Sequence, residues 1–155
     1  AFPDRHGDLT VDLLDAVRHR LGESALGDVL ATRAARQIRS YRQALDGAPV
    51  PVRLDRLAER RTAEGYEAEV VRDGAAYRFV EHHCPIRTAA ESCGELCTSE
   101  LDVFRASLGD DVEVHREDHV LRGDTRCSYR VVPVNSRTRG QKRSASGGGS
   151  VLGPT

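Results

Sequence analysis

The sequence predicts an α+β fold in which helices come first and an antiparallel sheet follows. Apolar residues recur with the period of an amphipathic helix in three segments before Gly65. After Gly65 they alternate with polar residues, which is typical of half-buried strands. Two predicted hairpins then lie on either side of one helix, in the order β-β-α-β-β. These three observations favour an antiparallel sheet with that helix on one face.

Two helices are predicted at the start of the chain. The first covers residues 8–21, with Asp8 or Thr10 as its N-cap. The second covers about residues 24–45, where apolar residues form one continuous stripe. Its opposite face carries Arg33, Arg36, Arg39 and Arg42. Such a pattern fits a phosphate-binding surface, although a solvated helix face is the commoner meaning.

A third helix and a first hairpin follow. Pro51 suits the first position of a helix, and Gly65 suits its end. The strands of the hairpin cover about residues 66–70 and 76–81, with a turn at Asp73-Gly74. This passage therefore brings the chain from the helical part into the sheet.

The second hairpin closes the predicted sheet. Its strands begin at Val112 and at Cys127, and Gly123-Asp124 forms a turn between them. Cys127, Tyr129 and Val131 lie two residues apart, so we expect them to share one face of the last strand.

All four cysteines lie in the second half of the chain, with the spacing C-x8-C-x3-C-x29-C at Cys84, Cys93, Cys97 and Cys127. In the predicted topology they follow a strand, begin a helix and begin the last strand, so all four can converge at one edge of the sheet. A shared metal or cluster is the favoured interpretation. Two disulfides and four inert thiols are the alternatives.

A helix is predicted to begin at the second cysteine. Ser92 and Glu95 have the spacing of a capping box, which would place Cys93 and Cys97 on one face of the first turns. Thiols in that position face the positive end of the helix dipole. We therefore expect lowered pKa values, which favour the thiolate form that binds metals.

The spacing alone does not identify the metal. The C-x2-C pairs of structural zinc sites and the C-x2-C-x2-C run of ferredoxins are both absent from the sequence, so zinc and an iron–sulfur cluster stay open. A histidine ligand is a further alternative, from His82 or His83 beside the first cysteine, or from His115 and His119 on one predicted strand face. The sequence has no orienting group or oxyanion device around a nucleophile, so we do not expect an enzyme.

Composition points to no particular partner. The 155 residues carry a net charge of −1, with acidic and basic residues nearly balanced. The sequence has neither a segment long and apolar enough for a membrane span nor a signal peptide, so we expect a cytoplasmic protein. Residues 134–155 are rich in serine and glycine and include a short basic run, which favours a flexible tail with weak attraction for polyanions.

From about residue 1 to residue 132 the chain resembles the part of SufR-type regulators that follows their winged helix. These relatives of the ArsR and DeoR groups control genes for iron–sulfur cluster assembly. The most specific part of the resemblance is the pair Cys84 and Cys97, followed by a cysteine after a Gly-Asp turn. The matching residues are Ala1-Phe2-Pro3, Leu54, Gly65-Tyr66, His82-His83-Cys84-Pro85, Glu95-Leu96-Cys97, Glu100-Leu101, Phe104, Leu108-Gly109, Gly123-Asp124 and Cys127-Ser128-Tyr129.

The resemblance implies that Cys84, Cys97 and Cys127 bind a [4Fe–4S] cluster. The chain departs from the family at Asp110-Asp111, where some members have a cysteine. We assign Cys93 as the fourth ligand because of its predicted helix geometry with Cys97. An aspartate or a histidine is the alternative at that place.

The resemblance also implies the organisation and function of the chain. Residues 1–48 are expected to form a helical dimerisation segment, and residues 49–133 an α+β cluster-binding sensor domain. A winged-helix DNA-binding domain is expected upstream of this chain. We therefore predict the redox-sensing part of a homodimeric transcriptional repressor, which binds operator DNA with its cluster and releases it when the cluster is lost. The alternative is a regulatory or interaction domain stabilised by Zn²⁺, without redox sensing.

Overall fold

The structure is a computed structural model, and it describes residues 5–134. The predicted tail lies outside these residues, apart from Val134. The predicted α+β class is confirmed: five helices accompany a four-stranded antiparallel sheet in the part of the chain that is described. The elements are α1 (His6–Leu21), α2 (Glu23–Leu45), α3 (Val50–Ala63), β1 (Ala68–Asp73), β2 (Ala76–Glu81), α4 (Arg87–Ser92), α5 (Glu95–Leu108), β3 (Val112–Arg116) and β4 (Cys127–Pro133).

The sheet has the strand order β1-β2-β4-β3, and every neighbouring pair is antiparallel. The second hairpin therefore joins the first through its last strand. Phe79 lies opposite Tyr129, and Tyr77 lies opposite Val131, on the inner face of the sheet. The predicted shared face of Cys127, Tyr129 and Val131 is confirmed, because all three are buried on this side.

Helices cover the inner face of the sheet. Helix α2 packs along α5, and both lie against a core that the sheet also lines. The centre of this core is aromatic: the Phe104 ring makes edge-to-face contacts with Phe79 and Tyr129, at centroid distances of 5.4 Å and 4.8 Å. Tyr41 and Leu45 of α2 belong to the same core, so the helical segment and the sheet share one interior.

Helix α1 is attached more loosely than the others. It packs against α2 and α4, yet none of its side chains is fully buried. Leu9 and Leu13 remain 56% and 59% exposed, one turn apart on the same side of the helix. The helix thus presents an apolar face to its surroundings. None of the helices within residues 5–134 has the length and apolar character that crossing a membrane requires.

Several predicted boundaries are confirmed, and others are wrong. Helix α3 carries a proline in its first turn, and Gly65 follows its end with a φ of +93°, as expected of a glycine stop. Helix α1 begins before Asp8, after Arg5, and has no side-chain cap. The short helix α4 was not predicted from the sequence.

Candidate functional site

Three of the four cysteines lie at the ends of three elements and are near enough for their charges to influence one another. Cys84 follows the end of β2, Cys97 lies in the first turn of α5, and Cys127 begins β4. The sheet register explains part of this proximity, because Cys127 pairs directly with Glu81, three residues before Cys84. Cys97 and Cys127 are buried, and Cys84 is half-buried.

The thiols of these three cysteines influence one another electrostatically. Burial raises the pKa of the Cys84 thiol to about 11, and the nearby charges of Cys127 and Cys97 add to this rise. Burial also raises the pKa of Cys97 and of Cys127. The predicted lowering by the helix dipole is therefore wrong for Cys97, since loss of hydration outweighs the dipole when the thiol lies in the core.

Backbone N–H groups reach two of the sulfur atoms. The N–H of Ile86 donates to the thiol of Cys84, and the N–H of Val120 donates to that of Cys127; both bonds favour the thiolate and partly oppose the effect of burial on the pKa. Hydrogen bonds of this kind to cysteine sulfur are one means by which proteins tune thiolate-bound clusters. The sulfur atoms are therefore prepared to carry negative charge once a cation or cluster compensates it.

Cys93 lies in the same apolar cluster as Cys97, but not on the same helix. It occupies the junction between α4 and α5, with φ −136° and ψ 89°, so it is not a helical neighbour of Cys97. The predicted capping box is wrong, because α5 begins after Gly94 and no side chain caps it. The Cys93 thiol is 2% exposed and packs in the apolar cluster with Leu26, Leu30 and Ala89. It is not among the main electrostatic influences on the other three thiols.

Arg116 places a cation beside the three thiols. Its Nη2 donates to the backbone carbonyl of Cys97 at 2.6 Å and to the hydroxyl of Tyr129 at 3.3 Å. Its positive charge lowers the pKa of both Cys97 and Cys127, although burial remains the larger effect on each. The Nε atom of Arg116 is buried and has no hydrogen-bond acceptor among the described residues. The guanidinium thus ties the start of α5 to the last strand.

A second cation, Arg61, is fully buried behind the cysteines. Its Nε donates to Glu81 at 2.6 Å, and its Nη2 lies 2.7 Å from Glu100 as an ion pair without hydrogen-bond geometry. Its guanidinium lies over the ring of Tyr66, 3.3 Å from the centroid, and Nη1 donates to the hydroxyl of Tyr41 at 3.1 Å. We call Arg61, Glu81 and Glu100 the buried ion network.

The pKa values of the network agree with this arrangement. Burial alone would lower the pKa of Arg61, but the carboxylates of Glu81 and Glu100 outweigh it and raise the pKa well above its usual range. Burial raises the pKa of Glu81, and the charge of Arg61 opposes that rise. Glu81 is also the strand partner of Cys127, so the network borders the thiols directly.

The sequence analysis did not identify these charged residues, although a signal was present. Each one stands where the apolar period of its element calls for a core residue. Arg61 continues the stripe of Leu54 and Leu57 on α3, Glu100 lies one turn after Leu96 and one turn before Phe104, and Glu81 follows Tyr77 and Phe79 on the inner strand face. A charged residue in the apolar phase predicts a buried partner of opposite charge.

The histidines lie outside the group of three thiols or have other partners. His82 lies 2.8 Å from Glu69, and His83 and His115 are exposed. The prediction that His115 and His119 share a strand face is wrong, because β3 ends at Arg116. Burial lowers the pKa of His119, whose Nε2 atom is buried without a hydrogen-bond partner among the described residues.

The residues around Cys84, Cys97 and Cys127 meet only some of the requirements of a thiolate-bound metal or cluster. Three neighbouring thiols, two N–H donors to sulfur and two flanking guanidinium groups are the chemistry that such a group needs. Within residues 5–134, however, no three His, Cys, Asp or Glu side chains are arranged to hold a single metal ion. A scan of the chain against protein-family models finds no match, and a search of curated proteins finds no significant match.

Proposed function

We propose that this chain is the sensing part of a cytoplasmic transcriptional repressor that binds an iron–sulfur cluster and acts as a homodimer on operator DNA. The observation that carries the proposal is the electrostatic proximity of Cys84, Cys97 and Cys127 to one another, beside N–H donors and the guanidinium groups of Arg61 and Arg116. In a cuboidal cluster each thiolate binds a different iron, so the thiolates stand farther apart than around one zinc ion, where each Zn–S bond is about 2.3 Å.

In this proposal the three thiols hold the cluster, and Cys93 stays the predicted fourth ligand. Bound iron would supply the positive charge that makes thiolates stable at neutral pH, despite raised thiol pKa values. Cluster loss would return three thiols to a site bordered by Glu81 and Arg116. The effect on DNA would follow from a shift between two arrangements of the dimer, one of which binding of the cluster favours.

A regulator accounts for these thiols better than a thiol enzyme does. A nucleophilic cysteine needs a lowered pKa, because the thiolate is the reactive form. Burial instead raises the pKa of Cys84, Cys97 and Cys127. We therefore propose a binding role for this group and no catalytic one.

The experiment that tests the cluster is iron and sulfide analysis of protein purified without oxygen, with an absorption spectrum. We expect a brown protein and a Cys84→Ser variant that has lost most of its iron. In a protein that also carries the expected upstream DNA-binding domain, operator binding should fall with the iron content. Cys93→Ser is the matched comparison, since Cys93 is not among the main electrostatic influences on the other three thiols. Retention of iron in that variant would exclude Cys93 as a ligand. Unchanged iron and operator binding in Cys84→Ser would refute the mechanism, and a colourless protein containing zinc would support the structural zinc alternative.

The exposed apolar face of α1 supports the homodimer. Leu9, Leu13 and Leu21 of α1 are each more than half exposed, and an unpartnered apolar helix face is a common site of subunit contact. We expect Leu9→Ser/Leu13→Ser to shift the protein toward a monomer in analytical ultracentrifugation. Val71→Ser, which changes an exposed apolar residue on β1, serves as the control. A dimer that persists equally in both variants would place the contact elsewhere.

A further inference from the structure

A concentration of unpaired positive charge lies on the outer surface of α2 and α3. We call Arg36, Arg39 and Arg42 of α2, with Arg56 and Arg60 of α3, the arginine surface. All five side chains are exposed. None of them makes an ion pair with a carboxylate within residues 5–134. Where partners exist they are neutral: Arg42 donates to the carbonyl of Ala106, Arg56 to that of Ala44, and Arg60 to the hydroxyl of Ser40.

Arginines elsewhere on the surface are mostly compensated. Arg78 lies 2.9 Å from Glu117, and Arg130 lies 2.9 Å from Asp73, on the outer face of the sheet. The whole chain has a net charge of −1, so the arginine surface is a local feature and not a general excess of basic residues. It therefore offers several positive charges that no internal partner neutralises.

Four of these charges lie on neighbouring parts of the two helices, whereas Arg42 extends toward α5 through its bond to Ala106. The bonds from Arg56 and Arg60 to α2 show that this stripe of α3 faces α2. The acidic side chains of Asp55 and Glu59 stand one residue earlier in the sequence, about 100° around the helix and away from α2. On α2, Arg36, Arg39 and Arg42 span roughly 9 Å along the axis at about 1.5 Å per residue.

We propose that the arginine surface contacts the phosphate backbone of duplex DNA. Guanidinium groups bind phosphates through paired N–H donors, and several spaced cations match the high charge density of a duplex. The exposed large hydrophobic residues described on α2 and α3 are Val29 and Val52, and neither is a leucine or aromatic side chain of the kind that a membrane-binding helix inserts into the lipid. The inference rests on the proposed function for its partner, and it adds that the sensing part itself touches DNA.

Contacts of this kind carry no sequence information, so the test uses DNA of arbitrary sequence. Binding of the full 155-residue chain to a short fluorescent duplex is measured by anisotropy over a series of salt concentrations. The logarithm of the binding constant falls against the logarithm of salt with a slope of about −0.9 per phosphate contact. We expect Arg36→Gln/Arg39→Gln to reduce the magnitude of this slope by about 1.8 and to weaken binding at every salt concentration.

Arg78→Gln/Arg130→Gln is the matched control, because it removes the same net charge from the outer face of the sheet. We expect it to leave the slope within experimental error of the native value. Equal losses in both variants would overturn the proposal, since they would show a general effect of net charge. A native slope retained in Arg36→Gln/Arg39→Gln would overturn it as well, as would heparin binding without duplex binding.

The outcome is separable from that of the proposed function. The arginine surface lies away from the cysteines, so both arginine variants are expected to keep the iron and sulfide content of the native protein. If Arg36→Gln/Arg39→Gln reduces the salt slope but the protein never holds a cluster, the sensor function is refuted and the DNA contact is supported. A salt slope that stays unchanged in Arg36→Gln/Arg39→Gln, together with loss of iron in Cys84→Ser, would refute the DNA contact and support the sensor.

Discussion

Replacing Arg61 with methionine tests whether the buried ion network holds the fold together. The substitution keeps most of the side-chain volume and removes a buried cation that contacts both Glu81 and Glu100. Both carboxylates are 4% exposed, so water does not replace the lost partner. Breaking a buried pair by removing one partner costs about 3–5 kcal/mol, because a charge is left uncompensated.

The magnitude can be converted into a urea midpoint. With a slope of about 2 kcal/mol per molar urea, a loss of about 4 kcal/mol moves the midpoint down by roughly 2 M. Circular dichroism during urea unfolding measures it. The loss is expected to be larger near pH 7 than near about pH 5, because protonation removes the uncompensated charge of Glu81, whose pKa burial already raises.

A triple variant separates the charge effect from a packing effect. Arg61→Met combined with Glu81→Gln and Glu100→Gln leaves no uncompensated carboxylate in the core and should recover much of the lost stability, because Arg33, which loses its Glu100 partner, is partly exposed to water. A single variant that costs less than about 1 kcal/mol would refute the reasoning, because the network would then resemble an exposed ion pair. A triple variant no more stable than the single one would show that packing around Tyr66 and Phe104 sets the cost instead.

Three further predictions concern single side chains. In metal-free protein, Cys84 should react with iodoacetamide only as the pH approaches about 11, since burial raises its thiol pKa, and mass spectrometry would detect earlier alkylation if this is wrong. Burial lowers the pKa of His119. The contribution of neutral His119 to stability is therefore present above about pH 6.5 and is lost as the pH falls through its folded pKa. A difference in unfolding free energy between the native protein and His119→Gln that does not change with pH would contradict this. Phe104→Ala should cost about 3–5 kcal/mol in urea unfolding, whereas Val71→Ala on the exposed edge should cost less than about 0.5 kcal/mol; similar losses would mean that the aromatic centre is not the core of the fold.

The parts of the fold that were predicted correctly are those in which local pattern and tertiary packing agree. The strand period around Cys127, Tyr129 and Val131 placed all three on the buried face, because side chains two residues apart point to the same side of a strand. The apolar stripe of α2 predicted the N-terminal end of this helix to within one residue. A helix of 23 residues repeats the apolar period many times, so the pattern is clear.

The boundaries around Cys93 could not be obtained in this way. Ser92 and Glu95 satisfy the capping-box spacing, but the chain instead ends α4 at Ser92 and begins α5 at Glu95. Helix α4 has six residues, and only Ala89 and Ala90 are buried, so it shows too few apolar residues to reveal a period. Its packing against α1 depends on contacts with residues far away in the sequence.

The raised thiol pKa values show a similar limit. The position of Cys97 near the N-terminal end of a helix was predicted correctly, although the helix begins at Glu95 and not at Cys93. The dipole argument that followed from it was sound for an exposed thiol. Burial reverses the result, and the depth of burial depends on how β2, β4 and α5 meet. The sequence places the residue on its element, whereas the tertiary structure determines its electrostatics.

The buried ion network gives the cysteines a physical connection to the helices. Glu81 pairs with Cys127 across the sheet, and Arg61 joins it to Glu100 on α5. Glu100 in turn accepts from Arg33 of α2 at 3.0 Å, close to the arginine surface. A change at the thiols that moves Glu81 is expected to alter the partners of Arg61, since both side chains are buried. In the proposed repressor this chain of charges is one route by which cluster loss could reach α2, beside the direct packing of Cys97 in one cluster with Leu26 and Leu30.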